Sequence, residues 1–368
     1  MTRREWLRAA SGAALTGLKA ADAPFERIDG HFHLHRSSPV IVAGMEKTGW
    51  SALSICVCGG IADEPYDLDE QLRGTAKLHL ENRARMAWAA TFDARDFEKS
   101  DFAAEVTSNL RRCFAQGAVG VKIWKNIGMA IRSKSGAYLK PDNAALFPIY
   151  EAIQKANRTL LVHVADPIRV WTAGANAASS AGAPPWWRLY RGPGAPDDWW
   201  LLDKRPDAPR KAELLLARDR ILARFPKLRV VGVHLGSDEE DLHALAKRLD
   251  QYPNFAVDAA ARVSFLARQD RETARQFLLK YQDRILYGSD SIVLPDPADD
   301  EATWTSINAV QEREWRFFAT ANVIRFGGGT SGNPAREAQG LDLPEPSLRK
   351  IFRENSVRWY PGLLPDRV

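Results

Sequence analysis

The stretch Ile28-Asp29-Gly30-His31-Phe32-His33-Leu34-His35 decides how the rest of the chain is read. Its apolar lead-in makes it the end of a buried strand. On a strand, side chains two apart project from one face, so His31 and His33 point together. Two neutral imidazoles side by side offer two nitrogen donors to one cation, which suits zinc, iron or manganese. A His-x-His pair alone is more often a packing or surface pair, and its meaning rests on its surroundings.

Outward from this stretch, short apolar segments alternate with segments of helical spacing. Strands are expected at 51–58, 86–92, 119–124, 159–164, 229–235, 255–258 and 284–287. Helices are expected at 67–85, 98–116, 143–157, 210–225, 239–250 and 264–281. Two more are expected at 304–318 and 346–360, the last capped by Ser347 and packed through Leu348, Ile351, Phe352 and Val357. The strands are apolar on both faces, as buried parallel strands are. Eight such units predict an α/β fold, a (β/α)8 TIM barrel over 24–368 with a C-terminal helix.

One connection is far too long. Residues 167–209, after the fifth strand, carry Trp171, Trp186, Trp187, Trp199 and Trp200 among many Pro and Gly. A connection of this length is uncommon without a function. It reads either as a lid with aromatic stacking surface or as a loop with its own small core.

The first 23 residues stand apart. Arg3-Arg4, an apolar run and Ala21-Asp22-Ala23 come in the order of a twin-arginine export signal, which predicts an exported, periplasmic protein. A basic tail on a cytoplasmic protein is the other reading. Beyond it no stretch is apolar for long enough to span a membrane. The net charge of +5 is spread without long basic runs, which argues against nucleic acid as a partner. Three cysteines build no disulfide framework, and Cys56 and Cys58 read as packing residues. Homo-oligomerisation stays open.

Three further residues sit at strand ends as His31 and His33 do. His163 closes the fifth strand, His234 the sixth, and Asp290 follows the eighth. In a barrel these ends converge on one face, and that face carries the chemistry. Singly, each is more often a satisfied buried polar group. His35 is expected at the rim of the cup, and His79 and His243 at the surface.

This order of motifs resembles the amidohydrolase superfamily, and most closely its amidohydrolase-related (amidohydrolase 2) branch. Ile28 to His31, Gly120-Val121-Lys122-Ile123-Trp124, Val233-His234-Leu235-Gly236, Tyr287-Gly288-Ser289-Asp290 and Glu354-Asn355 carry the resemblance. It implies one divalent metal, zinc first with manganese or iron as alternatives, on His31, His33 and His163, with Asp290 as a further ligand or close neighbour. Asp290 would take a proton from metal-activated water, and His234 would polarise the scissile bond or act as acid. Lys122 is ambiguous: carboxylated, it would bridge two metals, with His163 and His234 on the second; cationic, it would bind substrate. Lys125 and Arg262 are further substrate contacts, as are Trp124 and Trp171.

Three functions follow. The first is a hydrolase that cleaves an ester, lactone or amide of a small molecule. The second is a non-oxidative decarboxylase of an aromatic or unsaturated acid, which requires Arg262, Lys122 or Lys125 to face the metal as a carboxylate clamp. The third is a non-catalytic carbohydrate- or aromatic-binding protein, which requires no metal set.

Overall fold

A computed structural model describes residues 23–59, 68–172, 202–294, 299–326 and 336–364. The export-signal reading therefore lies outside the described residues, apart from Ala23. So do Trp186, Trp187, Trp199 and Trp200.

The strands are β1 (Arg27–Leu34), β2 (Trp50–Ile55), β3 (Met86–Thr91), β4 (Gly120–Ile123), β5 (Thr159–Val162), β6 (Arg229–Gly232), β7 (Phe255–Asp258), β8 (Ile285–Leu286) and β9 (Ser291–Val293). They pair in parallel, each with its sequence neighbour from β1 to β8. β9 pairs with β1, Phe32 opposite Ser291. β8 and β9 are one strand interrupted at 287–290. Across that gap Gly30 N–H donates to Tyr287 O (2.9 Å) and Asp290 N–H to His31 O (2.8 Å). The sheet thus closes on itself as a (β/α)8 barrel.

Among the described residues, eight helices of nine or more residues follow the strands: α1 (Pro39–Thr48), α2 (Leu68–Glu81), α3 (Phe102–Ala115), α4 (Phe147–Lys155), α5 (Lys211–Arg224), α6 (Leu242–Gln251), α7 (Arg271–Lys280) and α8 (Asp300–Ala319). Their apolar faces share one core with the outward side chains of the strands. A second, smaller core fills the barrel with Ile28, Leu53, Ala89, Leu161, Val231, Ala256 and Leu286. Trp359, Tyr360 and Leu363 close it from one end.

β1 carries a bulge. Its register against β2 slips by one residue between Asp29 and Phe32. Ile28 therefore belongs to the inner core, Phe32 to the outer one, and His31 and His33 turn inward together. Gly30 sits at the slip, where a Cβ would come within 2.9 Å of Tyr287 O.

Several elements differ from expectation. The fifth α-helical connection begins with a 3-10 turn, Ile168–Trp171, and Trp171 Nε1–H donates to Pro209 O (2.9 Å), tying together the two ends of the long insertion. α1 escapes periodicity because it is short, although Ser38 caps it and left-handed Gly49 ends it. The helix expected at 264–281 is two pieces, Val263–Leu266 and α7, since Asp270 caps the second by accepting from Thr273 N. The C-terminal helix spans 345–359 with a π turn at Lys350–Glu354. Pro344, not Ser347, precedes it, and Ser347 Oγ–H donates to Gln282 instead (2.9 Å). Leu348, Ile351 and Phe352 are buried as expected, but Val357 faces solvent. Cys56 and Cys58 lie just past β2, buried and not joined by a disulfide, and burial pushes the Cys56 thiol up to about 12. An antiparallel ribbon, β10 (Val323–Phe326) and β11 (Arg336–Gln339), lies outside the barrel sheet.

Candidate metal centre

The C-terminal ends of β1, β4, β5, β6, β7 and the β8–β9 break carry the polar side chains of the cup. The bulge presents His31 and His33, whose rings meet edge to face at 5.2 Å. Each ring is pinned through Nδ1. His31 Nδ1–H donates to Asp258 Oδ2 (2.8 Å), and His33 Nδ1–H donates to Ile55 O (2.8 Å). Both Nε2 lone pairs then face Asp290 Oδ1, at 3.3 and 3.2 Å. A fixed acceptor behind each ring is what sets a ligand imidazole's tautomer.

Asp290 owes its position to the strand break. Its φ is +62°, and the preceding Ser289 N–H donates to Asp29 Oδ1 (2.9 Å). A Cβ at Gly288 would come within 2.6 Å of the His31 Cβ, so only glycine lets the chain pass. Burial would raise the Asp290 carboxyl, but His31, His33 and His234 around it hold it well below the usual carboxylate range. Its side chain is still 28% exposed, open towards the cup mouth.

The donor atoms of His31, His33 and Asp290 lie within 4.8 Å of one another. Two unprotonated imidazole nitrogens and one ionised carboxylate are a donor set that fits a divalent metal. His163 stands outside this triad. Its Nε2 is 3.3 Å from Asp166 Oδ1, and its ring lies 4.4 Å from that of His234. Burial lowers its pKa to about 3.

His234 does not end a strand. β6 stops at Gly232, and His234 begins a left-handed turn with φ +58°. Its N–H donates to Asp258 Oδ1 (2.8 Å) and its Nδ1–H to Ala260 O (2.8 Å). Its ring stacks 5.0 Å from that of His31. Burial, with the fields of His163 and Arg262, pushes its pKa well below the ordinary value, which favours the neutral ring.

Lys122 points inward from β4, its Nζ 3.5 Å from His31 Nε2, and burial brings its ammonium down to about 8. Lys125 pairs with Asp166 over the Trp124 ring. Arg262 lies 3.7 Å from Glu239 Oε2. All three cations are buried. His35 is half-buried at the rim, 6.4 Å from the His33 ring, and burial lowers its pKa to about 3. His243 is exposed, whereas His79 is half-buried with Nδ1 on Met86 O.

Sequence reasoning missed Asp258 and Asp166. Asp258 ends β7 on its inward face, the placement that singled out His163, and Asp166 follows His163 three residues later. A second compact group of donors, His31, His234 and Asp258, is a hydrogen-bonded set, since Asp258 already accepts from both of the others.

Among solved structures, the fold is similar to 5-carboxyvanillate decarboxylase from Novosphingobium aromaticivorans, complexed with manganese and 4-hydroxy-3-methoxy-5-nitrobenzoic acid. The identity is 13%, with 92% of this chain and 97% of that chain covered at a TM-score of 0.52. It is also similar to a dihydroxybenzoic acid decarboxylase from a Polaromonas species with bound manganese and 2-nitroresorcinol. There the identity is 15%, the coverage 91% and 97%, and the TM-score 0.51. At such identity the likeness is one of fold. Comparison with curated protein sequences finds no match. The amidohydrolase family model matches residues 66–362, from ahead of β3 to the barrel plug. On that match, and on the barrel it spans, the chain belongs to the amidohydrolase family.

Proposed function

We propose that the protein is a metal-dependent hydrolase that cleaves an ester, lactone or amide bond of a small organic molecule. The observation that carries this reading is the convergence of His31 Nε2, His33 Nε2 and Asp290 on one point beside a neutral His234. A divalent ion held there, when bound, supplies an electrophile and an acidified water. The chain's own groups do the rest. Asp290, ionised and part-exposed, accepts the proton of the attacking water at its carboxylate. The proton that Asp290 accepts goes on to the leaving atom, either directly or by way of the unprotonated Nε2 of His234, which takes it up and hands it on.

Decarboxylation is the second reading. Its support is that Lys122 faces the metal donors, with Lys125 and Arg262 buried at the same strand ends. Manganese in both decarboxylases named above supports that metal among those expected. The same Lys122, if carboxylated, is the basis of a two-metal site.

The test begins with metal content per chain and intact mass, which count the ions and read Lys122. The metal-loaded protein is then screened against small lactones, esters, amides and aromatic acids in 18O-water. Label in a new carboxylate supports hydrolysis; carbon dioxide release without label moves the assignment to the lyase. Asp290→Asn should cut turnover about a hundredfold or more in a chain that still folds. Undiminished turnover in that variant removes Asp290 from proton transfer. A protein that holds no divalent ion after reconstitution favours the non-catalytic binding reading.

A further inference from the structure

Asp258 is fully buried at the end of β7 and touches two histidines of different function. Oδ2 accepts from His31 Nδ1 (2.8 Å). Oδ1 accepts from the backbone N–H of His234 (2.8 Å) and of Ala260 (3.1 Å). Ala260 in turn offers its carbonyl to His234 Nδ1 (2.8 Å). Asp258 and Ala260, two positions apart at the β7 exit, thereby fix one imidazole of the donor triad and the imidazole stacked on it.

We infer that Asp258 is a positioning residue that couples the two. Its carboxylate keeps the His31 proton on Nδ1, so that Nε2 presents a lone pair to the triad, and holds the backbone of the turn that carries His234. The inference rests on the functional reading above for the roles of His31 and His234. Three N–H groups converge on this one side chain, and only an acceptor-only group satisfies all of them. Asparagine has the same shape but one acceptor and one donor. With its carbonyl towards His31, its NH2 group faces two backbone N–H groups. With its NH2 group towards His31, it drives the imidazole proton onto Nε2, where the lone pair is needed.

The test uses the full chain, labelled with 15N in the histidine rings and free of metal. Long-range proton–nitrogen spectra report each tautomer, with His31 and His234 resonances assigned from His31→Gln and His234→Gln. Protons on Nδ1 of both rings are expected in the wild type. A proton on Nε2 of His31 overturns the inference, and this result needs no Asp258 variant to fold. In Asp258→Asn, either His31 changes tautomer or the His234 backbone amide shifts. Zinc or manganese affinity should fall about tenfold or more, as measured by competition with a chelator. Asp258→Asn with wild-type tautomers, an unmoved His234 amide and affinity within twofold also overturns it. Should the wild type bind no metal, the functional reading fails while the tautomer experiment still decides the role of Asp258.

Discussion

Glu314 is a carboxyl buried where α8 meets the barrel, and burial raises its pKa to about 7. Tyr287 O–H donates to its Oε2 (3.0 Å), and Arg313 reaches Oε1 at 3.4 Å. The sign of its contribution follows. The folded state keeps a proton that the unfolded chain gives up above about 4.5, so stability falls as pH rises from there through about 7. Glu314→Gln keeps an acceptor for Tyr287 and removes the ionisation. It should flatten stability between pH 5 and 7 and exceed the wild type at pH 8 by about 1–3 kcal/mol in urea denaturation. A decline as steep as the wild type's would remove Glu314 as its source. Glu314 carries no sequence signal, because its surroundings come from distant strands. His31, His33, His234 and Asp290 were legible because each ends or follows an apolar run. Asp258 ends one too, yet an acid after Phe-Ala-Val reads equally as a strand terminator.

The turn after β6 is the element where sequence and structure part most. Val-Gly-Val-His-Leu reads as strand to its end, but His234, Leu235, Gly236 and Ser237 take φ of +58°, +54°, +64° and +62°. Left-handed backbone costs a non-glycine residue about 1–2 kcal/mol. Hydrogen bonds from two sides offset this cost. Asp258 accepts from the His234 amide inside, and Arg218, fully buried on α5, donates to Gly236 O outside. Arg218 is itself held between Asp219 and Asp238. Ser237 takes this conformation with its Oγ buried and without a hydrogen-bond partner among the described residues. Ser237→Gly should therefore stabilise the protein by about 1 kcal/mol in thermal or urea unfolding, with activity kept. Destabilisation instead would mean that the hydroxyl has a partner, such as water. The turn was not legible, since the residues that enforce it are 18 and 24 positions away in sequence. Helix ends were legible where the stop is local, as for α3, expected to 116 and ending at Ala115, and not where Asp270 restarts a helix inside an apolar pattern.

For the whole molecule, alternation of buried strands with amphipathic helices was enough to count the barrel, because each unit must bury both strand faces. Its closure was not legible. The last strand breaks at 287–290, and β1 slips register opposite the break. The meeting line of first and last strand is thus an interrupted join, with β1 slipping register on its other side against β2, and the candidate triad straddles it: His31 and His33 on one lip, Asp290 on the other. Stripping metal with a chelator should lower the melting temperature, and saturating metal at about a hundred times Kd should restore about 2.7 kcal/mol. Hydrogen exchange should quicken most at the Gly30 and Asp290 amides, whose bonds span the join. Equal quickening across all strands would separate the ion from the closure. An ion in this place works as the clasp of a hoop. The chemistry of the cup and the mechanical integrity of the cylinder then hang on the same three side chains, and a substitution chosen to silence one loosens the other.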